Sequence, residues 1–177
     1  MMKKYIHPIE IQVIQKPERK VIFKRGINAT DFDSYHKESG EKVRHTLMAL
    51  NTCCDEPIYM WLPSWSRTSH TSGFVLGVEV PPDYHGPIPN GYDVILLPAA
   101  EYLMLQGEPF SEKERAKAIA IIHDTANRYN PADIGYEWDD THPRIQLEPR
   151  GERGCIELRG IKKISNFVPK EPISEWD

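Results

Sequence analysis

Two stretches of the sequence, residues 13–26 (VIQKPERKVIFKRG) and 94–107 (VILLPAAEYLMLQG), share one pattern. In each stretch a proline is followed nine residues later by a glycine, and an apolar-rich, strand-like run lies between them. The two stretches are 81 residues apart. Two copies of a half-open sheet unit must pack together, and the seam between copies is a natural place for a ligand.

Two further matches support a repeated unit of about 80 residues. Residues 57–63 and 143–149 have equal proline-to-proline spacing, and Gly77-Val-Glu79-Val matches Cys155-Ile-Glu157-Leu. These matches predict a single domain over residues 1–164 with two copies in tandem and a polar tail. The predicted segments are about 6–82 for the first copy, 83–90 for a Pro/Gly-rich connection, about 91–164 for the second copy, and 165–177 for the tail.

Each copy is predicted to be a hairpin, one main helix and a second hairpin. Helices are expected at 35–51 and 111–129, and the second has an S-x-x-E capping box at Ser111 and Glu114. Strands are expected at 9–13, 19–25, 58–62, 73–80, 91–97, 101–107, 144–148 and 154–160. This order indicates an α+β domain with a largely antiparallel sheet and two pseudo-symmetric halves, in which the helices cover the sheet.

The composition narrows the class of protein. The chain has 177 residues, of which 40% are apolar and 27% charged, as in a soluble globular protein. A net charge of -4 argues against nucleic-acid binding by this chain alone, and no run of 18 apolar residues predicts a membrane span. Cys53 and Cys54 are adjacent and Cys155 is alone, which predicts neither a disulfide framework nor a zinc site. A reducing cytoplasm is the expected location.

Sequence motifs for catalysis, metals and cofactors are missing. The seven histidines are scattered without metal-ligand spacing, and the sequence has no H-E-x-x-H, G-x-S-x-G, P-loop or G-x-G-x-x-G motif. We therefore assign no catalytic residue, no metal site and no cofactor from the sequence.

Strand alternation sorts the polar candidates for a binding surface. Ile145 and Leu147 are expected to face the helices, which turns their polar neighbours to the other face of the sheet. Glu79 and Glu157 hold matching places in the two copies, so they either flank one ligand or repeat one structural role. The candidates for one shared surface are Glu79, Tyr102, Gln106, Glu108, Gln146, Glu148 and Glu157. The alternative is a solvated sheet face with surface ion pairs of little energetic weight.

Three aromatic residues, Tyr59, Trp61 and Trp138, are candidates for stacking on a ligand. The alternative for each is an ordinary place in the core. The proline match pairs Trp61 with Leu147, which is assigned to the helix-facing side. Either Trp61 belongs to the core or the register of the two copies differs.

Several motifs together resemble the GyrI-like small-molecule-binding domain. They are IPNGYDVILLP (88–98), LQGEPF (105–110), GYEW (135–138) and PRIQLEPRGERGCIEL (143–158). The similarity covers about residues 6–164 and is nearest to the effector-binding domain of AraC-type and multidrug-sensing bacterial transcription regulators.

The resemblance implies a groove between the two halves that takes amphipathic or aromatic ligands, often cations. In such regulators the ligand acts on an attached DNA-binding module. Drug-binding relatives carry a buried Glu where this sequence has Gln146, and a Gln cannot neutralise a buried cation. Cation binding would then need Glu108, Glu148 or Glu157.

The resemblance and the residues leave three functions open. The first is a small-molecule-binding domain that works with a separate DNA-binding protein, and a strand soon after Met1 favours a stand-alone chain over an excised domain. The second is a hydrolase of reactive small-molecule toxins, in which Glu108 or Glu157 with a raised pKa activates water beside Trp61 or Trp138. The third is a protein-interaction module, such as an inhibitor of DNA gyrase.

Overall fold

The computed structural model describes residues 9–50 and 56–165, which form one antiparallel sheet with helices against it. The strands are β1 Glu10–Lys16, β2 Arg19–Arg25, β3 Ile58–Trp61, β4 Phe74–Val80, β5 Asp93–Leu97, β6 Ala100–Gln106, β7 Tyr136–Trp138, β8 Arg144–Leu147 and β9 Ile156–Lys163. The α-helices are α1 Phe32–Glu38, α2 Gly40–Met48 and α3 Arg115–Arg128. Cys53, Cys54 and all of the predicted tail except Ser165 lie outside the described residues.

The first predicted helix is two helices, so the expectation of one main helix per copy is wrong for this half. α1 begins before residue 35 because Asp31 caps it: the Asp31 carboxylate accepts from the Ser34 N–H (2.8 Å), and the Ser34 hydroxyl accepts from the Asp31 N–H (3.1 Å). The helix ends at Glu38, because the backbone of the next residue, Ser39, leaves the helical conformation (φ -163°, ψ 3°). Gly40 then begins α2, and glycine in a helix costs about 1 kcal/mol relative to alanine.

The second predicted helix forms, but its capping box does not. Ser111 precedes a 3-10 turn (Glu112–Glu114) and, within the described residues, its side chain makes no capping hydrogen bond. α3 begins at Arg115, and Ile122 and Ala126, on the side of the helix that faces the sheet, are buried.

The sheet confirms the α+β class and its antiparallel pairing. The strand order is β1-β6-β9-β8-β3-β4-β2-β5, and β7, in a region without a predicted strand, pairs with the end of β9. Within this sheet the predicted hairpins β1–β2 and β5–β6 do not form, because β1 pairs with β6 and β5 pairs with β2. This order would result if a unit were duplicated and its two copies exchanged their first strands, β1 and β5. The repeat itself stays a prediction.

The connection between β1 and β2 forces the sheet to curl. Six strand spacings separate β1 from β2 in the sheet order, which is roughly 29 Å in a flat sheet at about 4.8 Å each. Only Pro17 and Glu18 lie between Lys16 and Arg19, so the chain can span about 11 Å at most. The same holds for Pro98 and Ala99 between β5 and β6. The two outer strand pairs therefore bend towards each other around one face of the sheet.

The two faces of the sheet have different surroundings. α1 and α2 pack on one face with Tyr59, Phe74 and other side chains, and α3 packs on the same face over Leu103 and Leu105. The inner, curled face carries a core cluster made only of residues from strands and strand ends, among those described. Ile145 and Leu147 belong to this inner face, so the expectation that they face the helices is wrong. We find no helix in the described ranges that is long and apolar enough to cross a membrane.

Candidate functional site

An open groove of about 640 Å³ lies on the inner face of the sheet. Its apolar surface comes from the central strands β3, β8 and β9 and from β1 and β6, because alternate side chains of each strand point to this face. The aliphatic and thioether side chains that form it are Ile14, Ile58, Met104, Ile145, Leu147 and Leu158. Val80, Pro81 and Pro82 follow from the end of β4. The groove is therefore an apolar trough that is open to solvent.

A charged network closes one part of the groove. Glu79 accepts from Lys16 Nζ through Oε1 (3.0 Å) and from Arg19 Nε through Oε2 (2.9 Å). The Arg19 side chain is 5% exposed and also donates to the carbonyl of Pro98 (3.2 Å) and to the hydroxyl of Tyr102 (2.9 Å). Arg19 thus ties together β2, β4, β6 and the β5–β6 connection, which fixes the curl of the sheet at this point.

The second partly buried carboxylate of the groove, Glu56, is also in ion pairs. Its two oxygens accept from Nη1 and Nη2 of Arg153 at 2.6 and 2.8 Å, and Arg150 Nη2 lies 3.7 Å from Oε2. The hydrogen bond to Glu56 is the main reason that the pKa of Arg153 is raised. Both oxygens of Glu56, like both oxygens of Glu79, therefore meet cations before any ligand binds.

Glu157, predicted to contact a ligand, lies on the helix face and is fully buried. It pairs with His123 of α3, with Arg144 (3.1 Å) and with Arg159 (3.0 Å). Burial alone would raise its pKa, but the hydrogen bond and charge of His123 and the charges of Arg159 and Arg144 hold the pKa below its usual value. The hydrolase alternative needs a raised pKa, so Glu157 does not fit that role.

The sequence match between Glu79 and Glu157 pairs residues on opposite faces of the sheet. Glu79 lines the groove, whereas Glu157 lies under α3. The two carboxylates therefore do not flank one ligand. The proline match also pairs residues on opposite faces of the sheet. Trp61 contacts Phe74 and His123 on the helix face, whereas Leu147 lines the groove. Of the two alternatives given for Trp61, the structure shows the first: Trp61 packs against the core.

The aromatic candidates all lie on the helix face. Trp61 donates through Nε1 to the carbonyl of Thr30 (3.0 Å), and the Arg144 guanidinium lies 4.7 Å from its ring centre. Tyr59 is buried, and its hydroxyl is 2.8 Å from His36 Nε2. Trp138 is on β7, with the Arg159 guanidinium 5.8 Å from its ring. These rings serve packing and cation contacts within the protein in this structure.

The remaining predicted residues are spread over several places. Gln106 donates to the carbonyl of Arg153 (2.9 Å), and Glu148 pairs with Arg44 (3.2 Å) and Arg150 (3.5 Å). Gln146 is buried on the helix face, opposite Tyr59 in the β3–β8 pairing. Glu108 lines a separate cavity of about 100 Å³ beside α3.

Among the residues predicted for the site, Glu79 is the one that lines the groove, and Tyr102 reaches Glu79 through Arg19. Sequence analysis missed Lys16, Arg19 and Glu56. Lys16 is the first residue of a Lys-Pro-Glu segment whose sequence predicts a hairpin turn, and Arg19 follows that segment. Charged residues at the ends of a turn are unremarkable. No sequence signal singles out Glu56.

Neither a protein-family model nor a curated protein matches the chain. Solved structures do match its fold. A bacterial transcription regulation protein from Staphylococcus aureus MU50 has 13% identity and a TM-score of 0.56 over 86% of this chain and 98% of its own. The C-terminal domain of EcmrR has 15% identity and a TM-score of 0.54, over 88% and 99% of the two chains.

SAV2435, solved bound to tetraphenylphosphonium, has 14% identity and a TM-score of 0.57 over 86% of this chain and 94% of its own. At these identities the likeness is one of fold. It confirms the fold that the resemblance implied: the chain shares the fold of these three proteins, which is consistent with a GyrI-like domain.

Proposed function

We propose that this chain binds a small amphipathic molecule in the groove on the inner face of the sheet, as an effector-binding domain of the transcription-regulator type. The observation that carries the proposal is the groove itself. It is an open trough of about 640 Å³ with an aliphatic floor and a charged network at one part of its wall. An amphipathic molecule matches that division, with its apolar body on the floor and its polar head at the network.

The groove floor is apolar, so covering it with a ligand lowers the free energy, which supports the proposal. The floor belongs to the central strands, where Ile58, Ile145 and Leu158 are nearly fully buried while Met104 and Leu147 stay partly exposed. Each square ångström of apolar surface that a ligand covers contributes roughly 25 cal/mol. A ligand that covers this floor would therefore gain binding energy without any rearrangement of the core.

The fold neighbours add a second line of support. The staphylococcal protein is described as a transcription regulation protein, EcmrR is solved in a complex with DNA, and SAV2435 holds a small molecule, tetraphenylphosphonium. By analogy we propose that ligand binding by this chain changes the activity of a separate DNA-binding protein. The net charge of -4 does not favour DNA binding by the chain itself.

A thermal-shift screen of the purified chain against aromatic, aliphatic, neutral and charged amphipathic compounds tests the proposal. A ligand at 100 times its dissociation constant should stabilise the protein by about 2.7 kcal/mol. Leu147→Trp fills the groove and should abolish the shift. Leu96→Trp is the matched control, because Leu96 is 52% exposed on the edge strand β5 and does not line the groove.

A shift that survives in Leu147→Trp would place the ligand elsewhere and contradict the proposed site. A screen without any shift, over compounds of all these classes, would contradict ligand binding as the function.

A further inference from the structure

The ion pairs around the groove disfavour a cationic ligand. The two partly buried carboxylates on its wall, Glu79 and Glu56, have side chains that are 24% and 15% exposed. Glu79 is held by Lys16 and Arg19, while Glu56 is held by Arg153 and Arg150, the latter shared with Glu148. A ligand cation would have to displace one of these ion pairs, which leaves the buried Arg19 unpaired at Glu79 or the partly exposed Arg153 and Arg150 unpaired at Glu56.

The other means of holding a cation is also missing from the groove. Cation recognition without a carboxylate relies on the faces of aromatic rings. Of the residues that line the groove in the described part of the chain, none is aromatic. Tyr59, Trp61 and Trp138 lie on the opposite face of the sheet, and two of them already contact Arg144 and Arg159.

Lys16 is the group best placed to meet a ligand head. It lines the groove, its side chain is 19% exposed, and it gives one of its three N–H donors to Glu79 at 3.0 Å. The geometry leaves donor capacity on the ammonium group for an acceptor in the groove. Glu18, the third carboxylate of the lining, is exposed to solvent, where its charge is strongly screened.

We propose that the groove selects amphipathic molecules with an aliphatic body and an anionic head, such as a carboxylate, and that Lys16 Nζ contacts the head. This inference rests on the proposed function and specifies its ligand class. The aliphatic floor takes the body, and the network of Lys16, Arg19 and Glu79 supplies a net positive charge at the head. The expected order of affinity is anion, then neutral molecule, then cation.

Three probes with one body test this order: decanoate, decanol and decylammonium at pH 7 and low ionic strength, measured by calorimetry below their aggregation concentrations. Decanoate should bind about tenfold or more tightly than decylammonium, and added salt should reduce this ratio. Lys16→Gln should weaken decanoate roughly five- to tenfold and leave decanol almost unchanged. Leu147→Trp should remove binding of both, and Leu96→Trp should not.

Decylammonium binding as tight as decanoate, lost in Leu147→Trp, would overturn the charge selection and leave the proposed function standing. Decanoate binding that Lys16→Gln leaves intact would also overturn it. Absence of binding by all three probes would overturn the choice of an aliphatic anion, and the broader screen then decides on the proposed function separately. Since the comparison of probes uses the unmodified protein, instability of the Lys16 variant would not prevent the test.

Discussion

Lys16 and Glu79 are five strand positions apart in the sheet order, yet Lys16 Nζ lies 3.0 Å from Glu79 Oε1. The contact is made across the curled inner face, where β1 comes back over β4. Because Glu79 also accepts from Arg19, one carboxylate joins strands from both ends of the sheet. The contacts of Glu79 with Lys16 and Arg19 hold the outer strands together across the curled inner face. The inner face therefore forms a groove with a charged wall.

Loss of the Glu79 carboxylate should destabilise the fold. In Glu79→Gln the buried Arg19 and the partly buried Lys16 lose their shared counter-charge. Breaking a fully buried pair costs about 3–5 kcal/mol, and partial exposure of Glu79 reduces this to about 2 kcal/mol. The melting temperature should fall by roughly 4–8 °C.

Glu137→Gln is the matched control for this substitution. Glu137 is 53% exposed and its partner Lys162 is 56% exposed, so the change should cost less than about 1 kcal/mol. Equal melting temperatures for the Glu79 variant and the unmodified protein would show that the network does not hold the curl.

Glu157→Gln should act on folding and not on a ligand contact. The substitution leaves Arg144, Arg159 and any charge on His123 without the buried carboxylate that they surround. The expected loss is about 3 kcal/mol or more in urea unfolding of the ligand-free protein. Weakened ligand binding with unchanged unfolding free energy would show instead that Glu157 contacts the ligand.

The contribution of Glu157 should depend on pH in the acid range. Its folded pKa is lowered, so above the unfolded value of about 4.3 the carboxyl is ionised in both states and the contribution is complete. As the pH falls further, the unfolded chain takes up the proton first, and stability is lost through the folded pKa. The difference in unfolding free energy between the unmodified protein and Glu157→Gln should therefore shrink between about pH 5 and pH 3. A difference that grows over this range would contradict a lowered pKa.

Gly77 should tolerate no side chain. A Cβ at this position of β4 would lie 2.7 Å from the carbonyl oxygen of Ile22 and 2.8 Å from side-chain atoms of Phe23 and Val21. Gly77→Ala should cost about 1–3 kcal/mol through overpacking, seen as a lower urea midpoint. Gly107→Ala is the control, because its Cβ would meet only the movable end of Ile122 at 3.2 Å and backbone at 3.9 Å. A larger loss in the Gly107 variant would contradict this account.

Eight of the nine strands in the described residues could be predicted because their signals are local, whereas the three-residue β7 could not. Alternating apolar residues bounded by proline and glycine placed one strand at 19–25, which is where β2 lies, and the others within a few residues. Strand pairing is not local. β1 pairs with β6 and β5 pairs with β2, and this choice of partner depends on tertiary packing. The local sequence of two strands joined by Lys-Pro-Glu predicts a hairpin instead.

The faces of the strands could not be predicted, for a different reason. The sequence pattern predicts that apolar Ile145 and Leu147 lie under the helices, because an apolar strand face usually packs on a helix. Here both faces of the sheet are largely apolar, and the buried polar groups Gln146 and Glu157 lie on the helix face. Glu157 is tolerated there because His123 reaches it from α3, and sequence alternation contains no information on such a partner.

Ligand binding on the inner face of the sheet can be observed at individual side chains. A two-dimensional methyl spectrum of protein labelled at Ile, Leu and Met, recorded during titration with decanoate, tests it most directly. Binding in the groove should shift the resonances of Ile58, Met104, Ile145, Leu147 and Leu158 together, while those of Leu103, Leu105 and Ile122 on the helix face stay in place. Saturable shifts confined to the helix-face methyl groups would contradict it.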